Sequence, residues 1–313
     1  MVNQPNTEII HQILSKKNWR HRLRLTNELV TPGYCDESEW QMAQLPESLA
    51  GKSFLDVASN DGMYSILAEK RGASHVLGVD IYADKANGLN MTNGWDLEKP
   101  NLLKNYFQSK ARFESLSVYE LKSLNQKFDY VFCSNLLAWL TDPYQALVAL
   151  SDVCTEVLHL REDVSWKGNL PMLEWVHTKP GSCFYNPNQA YFESVLKQLG
   201  FKRIEFSLID ERTLLKDRIA RQILVKVKKD TPVFENPFSS HAISSMQEHP
   251  WYLSYSNYND FYFIEAIGWV KKEDVVATQP LLLGRSYPYL TLLNKLLSNK
   301  LNLEKNYVIK AYR

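Results

Sequence analysis

Cysteine is scarce in this sequence, and its four residues, Cys35, Cys133, Cys154 and Cys183, form no C-x-x-C pair. Such spacing supports neither a zinc site nor a disulfide framework. The sequence also lacks an apolar run of the ~18 residues that span a bilayer, and residues 1–5 show no charged-then-apolar signal pattern. We therefore expect a reduced, soluble, cytoplasmic protein with no bound metal and no membrane partner.

An excess of one charge is also missing. The 36 Lys and Arg residues balance 35 Asp and Glu residues, for a net charge of +1. Proteins that bind a nucleic-acid backbone usually present a basic face, so this balance disfavours a nucleic-acid partner. One basic cluster runs from Lys16 to Arg24. Its arginines alternate with His21, Leu23 and Leu25, which favours the solvated face of an edge strand over an anion-binding site.

Strand and helix patterns alternate over the middle of the 313-residue chain. The predicted strands are Ser53–Ala58, His75–Asp80, Ala111–Leu116, Phe128–Cys133 and Thr155–Leu160, followed by a terminal pair, Lys202–Ile209 and Gln222–Lys228. Such alternation predicts an α/β fold with a Rossmann-like, seven-stranded sheet. We predict an N-terminal cap over residues 1–50, the α/β domain over 51–229 and an aromatic-rich C-terminal extension of unknown role over 230–313.

The most informative segment joins the first two predicted strands. The first strand leads into Asp56-x-Ala58-x-Asn60-x-Gly62, where a helix begins, and the second strand ends in Asp80. In a doubly wound sheet the carboxyl ends of two such strands form a nucleoside pocket, and the second acidic residue accepts hydrogen bonds from ribose hydroxyls. An αβ unit without a ligand is the alternative. The sequence gives less support still to a nicotinamide site, since no G-x-G-x-x-G opens the helix.

This segment resembles the first motif of the class I S-adenosylmethionine (SAM) dependent methyltransferases, in which glycines replace Ala58 and Asn60. A further string of short motifs extends the resemblance over about residues 19–228. It comprises Trp19-x-His21, Thr31-Pro32-Gly33, Leu49–Lys52, Lys70–Ala73, Ser117–Leu121, Phe128-Asp129, Asn135–Leu137 and Asp142-Pro143. The string is similar to the family of the tRNA wobble-uridine carboxymethyltransferase and its natural-product relatives. Where relatives often carry Tyr-His, this chain has Ala138-Trp139.

The resemblance implies SAM as cofactor, with S-adenosylhomocysteine (SAH) as product, and suggests where each part of the cofactor binds. The implied cofactor-binding residues are Asp56, Ala58, Ser59, Asn60, Gly62 and Tyr64 for the methionine portion, Asp80 for the ribose, Ile81, Ser117 and Val118 for the adenine, and Asn135 and Leu136 for the sulfonium. For Tyr64, a place in the core is the more ordinary alternative.

An oxygen or amine acceptor with a raised pKa needs a general base. The candidates are Glu162, which directly follows the fifth strand, His21 in the cap, and His177. A carboxylate acceptor needs no base, because it is already ionised at neutral pH. Tyr185 and Asn186 precede a helix on the acceptor side and are candidates to bind the acceptor.

These residues predict a methyltransferase acting on O or N of a small metabolite or short peptide, of the natural-product tailoring type. The first alternative is a tRNA-modifying methyl or carboxymethyl transferase. The second is a non-catalytic, methyltransferase-like binding protein, which the missing glycines favour. The aromatic run Trp251–Phe263 predicts the core of the C-terminal extension, with an acceptor site or a homo-oligomer contact as alternatives.

Overall fold

The computed structural model describes residues 7–81, 96–165, 168–175, 185–209, 223–246, 252–258, 261–264, 268–280 and 305–313. The helices are α1 (Thr7–Ser15), α2 (Glu39–Met42), α3 (Met63–Lys70), α4 (Glu98–Phe107), α5 (Pro143–Val153) and α6 (Gln189–Gln198). The first ten strands are β1 (His21–Arg22), β2 (Cys35–Asp36), β3 (Ser53–Val57), β4 (His75–Asp80), β5 (Arg112–Ser115), β6 (Phe128–Ser134), β7 (Cys154–Val164), β8 (Leu173–Trp175), β9 (Tyr185–Pro187) and β10 (Arg203–Leu208). They are followed by β11 (Ile223–Val227), β12 (Thr231–Val233), β13 (Ser244–Met246), β14 (Tyr252–Tyr258), β15 (Phe261–Ile264), β16 (Gly268–Lys271), β17 (Val275–Pro280) and β18 (Lys305–Tyr312).

The central sheet has seven strands in the order β10-β18-β7-β6-β3-β4-β5. Only β18 runs antiparallel to its two neighbours, whereas the ladders from β7 to β5 are parallel. This confirms the predicted Rossmann-like α/β class. The strand order reverses between β3 and β6, and in such sheets the ligand crevice lies outside the carboxyl ends of the strands at this point.

Apolar side chains on both faces of the sheet form the two main core clusters. On one face Phe54 and Phe132 pack with α1 to α4, and on the other Leu55 and Val131 pack with α5 and α6. Strands buried on both faces have the near-continuous apolar sequences seen here.

One predicted strand pairing is wrong. Residues 222–228 were expected to complete the central sheet, but β11 pairs with β14 and β17 in a separate five-stranded sheet of order β16-β15-β14-β11-β17. The last strand, β18, fills the place between β10 and β7. Both segments have similar strand patterns, and only long-range pairing distinguishes them. The three-part division of the chain stays a prediction, but β18 does not pair within residues 230–313.

In the second sheet, β15 and β16 form an antiparallel pair, in which Phe263 and Trp269 are register partners. Trp269 is fully buried with α1 and Trp19 in the first core cluster, and its indole Nε1 donates to the Leu14 carbonyl at 3.0 Å. Trp251, the first residue of the predicted aromatic run, lies outside the described residues.

Within the described part of the chain, no helix combines the length and apolar character needed to cross a membrane. There too, no cluster of His, Cys, Asp and Glu side chains has the arrangement of a metal site.

Candidate active site

The loop between β3 and α3 has three alternating left-handed residues. Ala58, Asn60 and Gly62 have φ angles of 63°, 53° and 84°. These are the positions where the resembled motif has glycine, so the backbone keeps the conformation although two glycines are replaced. Asn adopts this region more readily than most residues, whereas Ala is strained there. The missing glycines therefore do not indicate a lost loop.

Gly62 is required for close packing as well as for its backbone angle. A Cβ atom at Gly62 would lie 2.8 Å from the Phe113 ring and 2.9 Å from Pro100. A Cβ atom at Gly78, on the neighbouring strand β4, would lie 2.6 Å from the same ring. The start of α3 can therefore approach β4 and β5 only without a side chain at these two positions.

Two buried carboxyl groups flank this loop. Asp56 accepts a hydrogen bond from Ser65 Oγ at 2.8 Å, and burial, with smaller contributions from Asp80 and Asp61, raises its pKa to about 7. Asp80 accepts from the amides of Asn60 at 2.9 Å and Ile81 at 2.7 Å, while burial raises its pKa to about 6. Each oxygen of a carboxylate accepts about two hydrogen bonds, so Asp80 retains capacity for two ribose hydroxyls.

The surroundings of Asp80 suit an adenosine. Ile81 is 37% exposed directly after β4, where an apolar side chain can cover an adenine face. Ser117 begins the 3-10 helix Val118–Leu124 in a capping box with Glu120, and Val118 is buried beneath it. The capping box uses both the backbone amide and the hydroxyl of Ser117. Ser117 therefore has fewer hydrogen-bonding groups available for adenine than the resemblance implied.

The segment after β6 is held by Glu162. This carboxyl group accepts from the amides of Leu136 at 2.9 Å and Leu137 at 3.0 Å, and burial raises its pKa to about 8. Asn135, with φ of 52°, donates its amide to the Arg161 carbonyl at 2.7 Å. Asn135 and Leu136 thus directly follow β6 at the crevice, and the contacts of Glu162 favour a structural role over the predicted one as a base.

His21 lies directly on the cofactor loop. Its Nδ1 is 2.5 Å from Asp61 Oδ1, and the amides of Arg20 and His21 donate to Asp61 Oδ2 at 3.0 and 2.8 Å. Both side chains are almost fully buried. Burial alone raises the pKa of Asp61, but the charge and hydrogen bonds of His21, assisted by Lys99, outweigh it and lower that pKa.

The Thr31-Pro32-Gly33 motif holds the backbone of His21. Thr31 Oγ1 donates to the His21 carbonyl at 2.6 Å and accepts from the Leu23 amide at 2.8 Å. A Cβ at Gly33 would lie 2.2 Å from the His21 carbonyl oxygen, so only glycine fits. Two motifs that are distant in sequence thus meet at one histidine.

A second buried polar group connects the cap to β7. Arg161 pairs with Glu39 of α2, and its guanidinium approaches the Tyr64 hydroxyl at 3.5 Å. Tyr64 is 5% exposed and packs on Phe132 with ring centroids 4.8 Å apart, which favours its core role. Arg20 donates to the Tyr34 hydroxyl at 2.8 Å, so its guanidinium is turned to an aromatic neighbour and not to a free basic face.

On the acceptor side, β8 and β9 form a short hairpin, and β9 contacts the 3-10 helix Leu137–Trp139 that follows β6. Trp175 is 57% exposed and meets the Tyr185 ring edge-to-face, with centroids 5.1 Å apart. Asn186 is buried, and its side-chain oxygen has no hydrogen-bond partner. His177, the third candidate base, lies outside the described residues.

Sequence reasoning missed Asp61, Glu39 and Arg161. Asp61 stood inside the motif and was overlooked because the expected pattern assigns no role to that position. Glu39 and Arg161 are far apart in sequence, and no local signal shows that their side chains meet.

This fold and its loop define a Rossmann-like methyltransferase. The methyltransferase-domain family, whose sequence model matches residues 36–205, includes this chain. SAM is therefore the cofactor, and the loop, Asp80 and Ile81 provide the backbone conformation, hydrogen-bond capacity and apolar surface that fit it. Among curated proteins, none matches this sequence.

Several solved structures are similar to this chain. A crystal structure of the (4+2)-cyclase SpnF covers 99% of this chain and 93% of its own, with 10% identity and a TM-score of 0.52. The match to a SAM-dependent methyltransferase from Mesorhizobium loti covers 57% of this chain and 89% of that protein, with 15% identity and a TM-score of 0.40. The 1,6-didemethyltoxoflavin-N1-methyltransferase of Burkholderia thailandensis was solved with bound 1,6-didemethyltoxoflavin and SAH. The match covers 55% of this chain and 72% of that protein, with 14% identity and a TM-score of 0.40.

Proposed function

We propose that this protein transfers a methyl group from SAM to an oxygen or nitrogen of a small metabolite or short peptide, as in natural-product tailoring. SAM supplies an electrophilic methyl group on its sulfonium. The residues of the chain bind and orient the cofactor, exclude water from the buried loop and position the acceptor, and positioning provides much of the acceleration of such a displacement.

The observation that carries this proposal is the chemistry of the acceptor side. Two arginines of the described cap and β7 bond within the protein, Arg161 with Glu39 and Arg20 with Tyr34. Of the described residues of β8 and β9, the exposed one is Trp175, an aromatic residue. Such a surface suits a small acceptor with an apolar portion better than a phosphate backbone, which is bound by exposed Lys and Arg.

The test starts with isothermal titration of the protein with SAM and with SAH. Binding of both is expected, and binding of neither would end the proposal. Formation of SAH is then measured with a panel of small phenols, amines, carboxylic acids and short peptides. Turnover with any of them supports the proposal and rejects the non-catalytic alternative.

The tRNA alternative has its own discriminating measurement. Binding of tRNA is measured at several salt concentrations, because each neutralised phosphate adds to the slope of log affinity against log salt. A slope near zero is expected here. A steep slope together with tRNA methylation would replace the small-molecule proposal.

A further inference from the structure

The side chain of His21 is held by more contacts than packing alone requires. Asp61 of the cofactor loop bonds its ring and its amide, Thr31 bonds its carbonyl, and Gly33 leaves space for its backbone. These contacts come from two segments that are distant in sequence, the cofactor loop and the Thr31-Pro32-Gly33 motif, and they fix different atoms of His21. The result is an imidazole with one defined orientation on the edge of the cofactor loop.

The contacts of Asp61 fix which nitrogen of the ring carries a proton. Asp61 Oδ2 accepts from the backbone amides of Arg20 and His21, and such hydrogen bonds favour the ionised form of a carboxyl group. An ionised carboxylate can only accept, so Nδ1 of His21 is the donor in the 2.5 Å contact. The neutral ring then carries its lone pair on Nε2, which is the arrangement of a general base oriented by a carboxylate.

From this geometry we infer that His21 is the general base for the acceptor and that Asp61 is its positioning residue. The inference rests on the proposed function, because it applies to an acceptor with an ionisable O–H or N–H. His21 Nε2 takes that proton while the acceptor atom bonds to the methyl carbon. The carbon–sulfur bond breaks, its electron pair stays on sulfur, and the proton later passes to water.

Other ionisable groups surround the pair. Tyr64 of α3 meets the His21 ring edge-to-face at 5.5 Å, Cys35 of β2 is its ladder partner, and Lys99 of α4 acts on Asp61. Arg20 precedes it on the same segment and donates to Tyr34. Only Asp61 bonds the ring itself among the described residues, so its replacement is the sharpest perturbation.

The first test needs no acceptor. In protein labelled with ¹⁵N-histidine, NMR is expected to show His21 protonated on Nδ1 in the SAH complex. Sinefungin, an analogue with an amine where SAM carries its sulfonium methyl, is expected to shift the Nε2 resonance relative to SAH. Asp61→Asn is expected to change the tautomer of His21. An Nε2-protonated ring, or equal spectra with both ligands, would overturn the inference.

The second test uses the acceptor panel. His21→Gln is expected to lower kcat for a phenol or an amine by about 100-fold or more, with little change in the affinity for SAH. Turnover of a carboxylic acid is expected to change little, because it needs no base. Asp61→Asn is expected to lower kcat for the phenol at least about tenfold. His75→Gln, at the amino end of β4, is the matched control.

The two levels of failure are distinguishable. If SAH and sinefungin do not bind the wild-type protein, the proposed function fails together with this inference. If they bind, and His21→Gln turns over phenols and amines at the wild-type rate, only the assignment of the base fails. Circular dichroism and thermal unfolding establish that His21→Gln and Asp61→Asn are folded.

Discussion

Asp80 ends β4 with both oxygens bonded to backbone amides, those of Asn60 and Ile81. The same carboxylate thus fixes the cofactor loop and faces the adenosine pocket. Because burial raises the pKa of Asp80 to about 6, the protonated form predominates below that pH. A ligand that donates two hydroxyl groups to it favours the charged form.

For Asp80→Asn we expect SAM binding to weaken by about 1–3 kcal/mol, or about 5- to 150-fold, since a hydrogen-bonded charge is lost. In the wild-type protein SAM affinity is expected to increase as the pH rises through about 6. Isothermal titration at several pH values measures both effects. Asp152→Asn, on the exposed side of α5, is the control, and unchanged affinity in folded Asp80→Asn would refute the ribose assignment.

Glu162 gives a prediction about stability. Its pKa is raised by burial from 4.5 to about 8, so its contribution to stability is fully present below about pH 4.5 and is lost as the pH rises through about 8. Glu162→Gln keeps an oxygen for the Leu136 and Leu137 amides but does not ionise. We therefore expect its free energy of unfolding to fall less steeply with pH, by up to about 1.4 kcal/mol per pH unit.

Urea unfolding of Glu162→Gln and wild type across this pH range measures the difference. Glu193→Gln, on the exposed face of α6, serves as the control. If Glu162→Gln and wild type have parallel pH profiles, Glu162 is already ionised in the folded protein. Its assigned role at the end of β6 would then need revision.

At the scale of elements, the β3–α3 loop shows that a conformation can persist without the residues that usually favour it. Ala58 and Asn60 take the left-handed angles of the two replaced glycines. The anchors are elsewhere, in the hydrogen bonds of Asp80 and Asp61 and in the close packing of Gly62 on Phe113. Tertiary contacts therefore impose the backbone angles.

The loop predicts an unusual outcome for a glycine substitution. Ala58→Gly removes left-handed strain of about 1–2 kcal/mol and adds a smaller entropy cost, so stability is expected to be unchanged or higher by up to about 1 kcal/mol. Ala68→Gly, in the buried middle of α3, is expected to lose about 1 kcal/mol or more. Thermal and urea unfolding compare the two. Equal losses would show that Ala58 is not strained.

At the scale of the whole molecule, the second sheet lies in sequence between two neighbouring strands of the first, β10 and β18. It also contacts the cap, because Trp269 packs with α1 and bonds the Leu14 carbonyl. Phe234 joins the same cluster, and His11 stacks on Phe238 at 4.3 Å. The cap that carries His21 is thus supported from both the central sheet and the second one.

This arrangement predicts a large effect for a residue far from the catalytic loop. Trp269→Ala is expected to destabilise the protein by about 3–5 kcal/mol, because a fully buried indole is lost. Trp269→Phe keeps an aromatic ring but removes the Nε1 donor, and the lost hydrogen bond is expected to lower the free energy of unfolding by about 1 kcal/mol. Trp175→Ala, on the exposed hairpin, is the control. A loss below about 1 kcal/mol for Trp269→Ala would show that the second sheet is not docked on α1 in solution.

Sequence patterns were sufficient for much of the central sheet. The strands that end in Asp80 and Ser134 were predicted, the second to within one residue, from apolar runs and an acidic strand end. Such signals are local, so they persist in any chain that folds this way. The cofactor followed from the same segments, because the motif residues are close in sequence and are brought together by a single turn.

What the sequence by itself determined is therefore the parallel part of the sheet, the cofactor loop and the identity of the methyl donor. Only the tertiary structure decided that β18 completes the sheet, that Glu162 is bonded to backbone amides and that Asp61 orients His21. Each of these depends on pairing between segments distant in the chain, where burial and hydrogen bonding select one partner among several with similar local patterns.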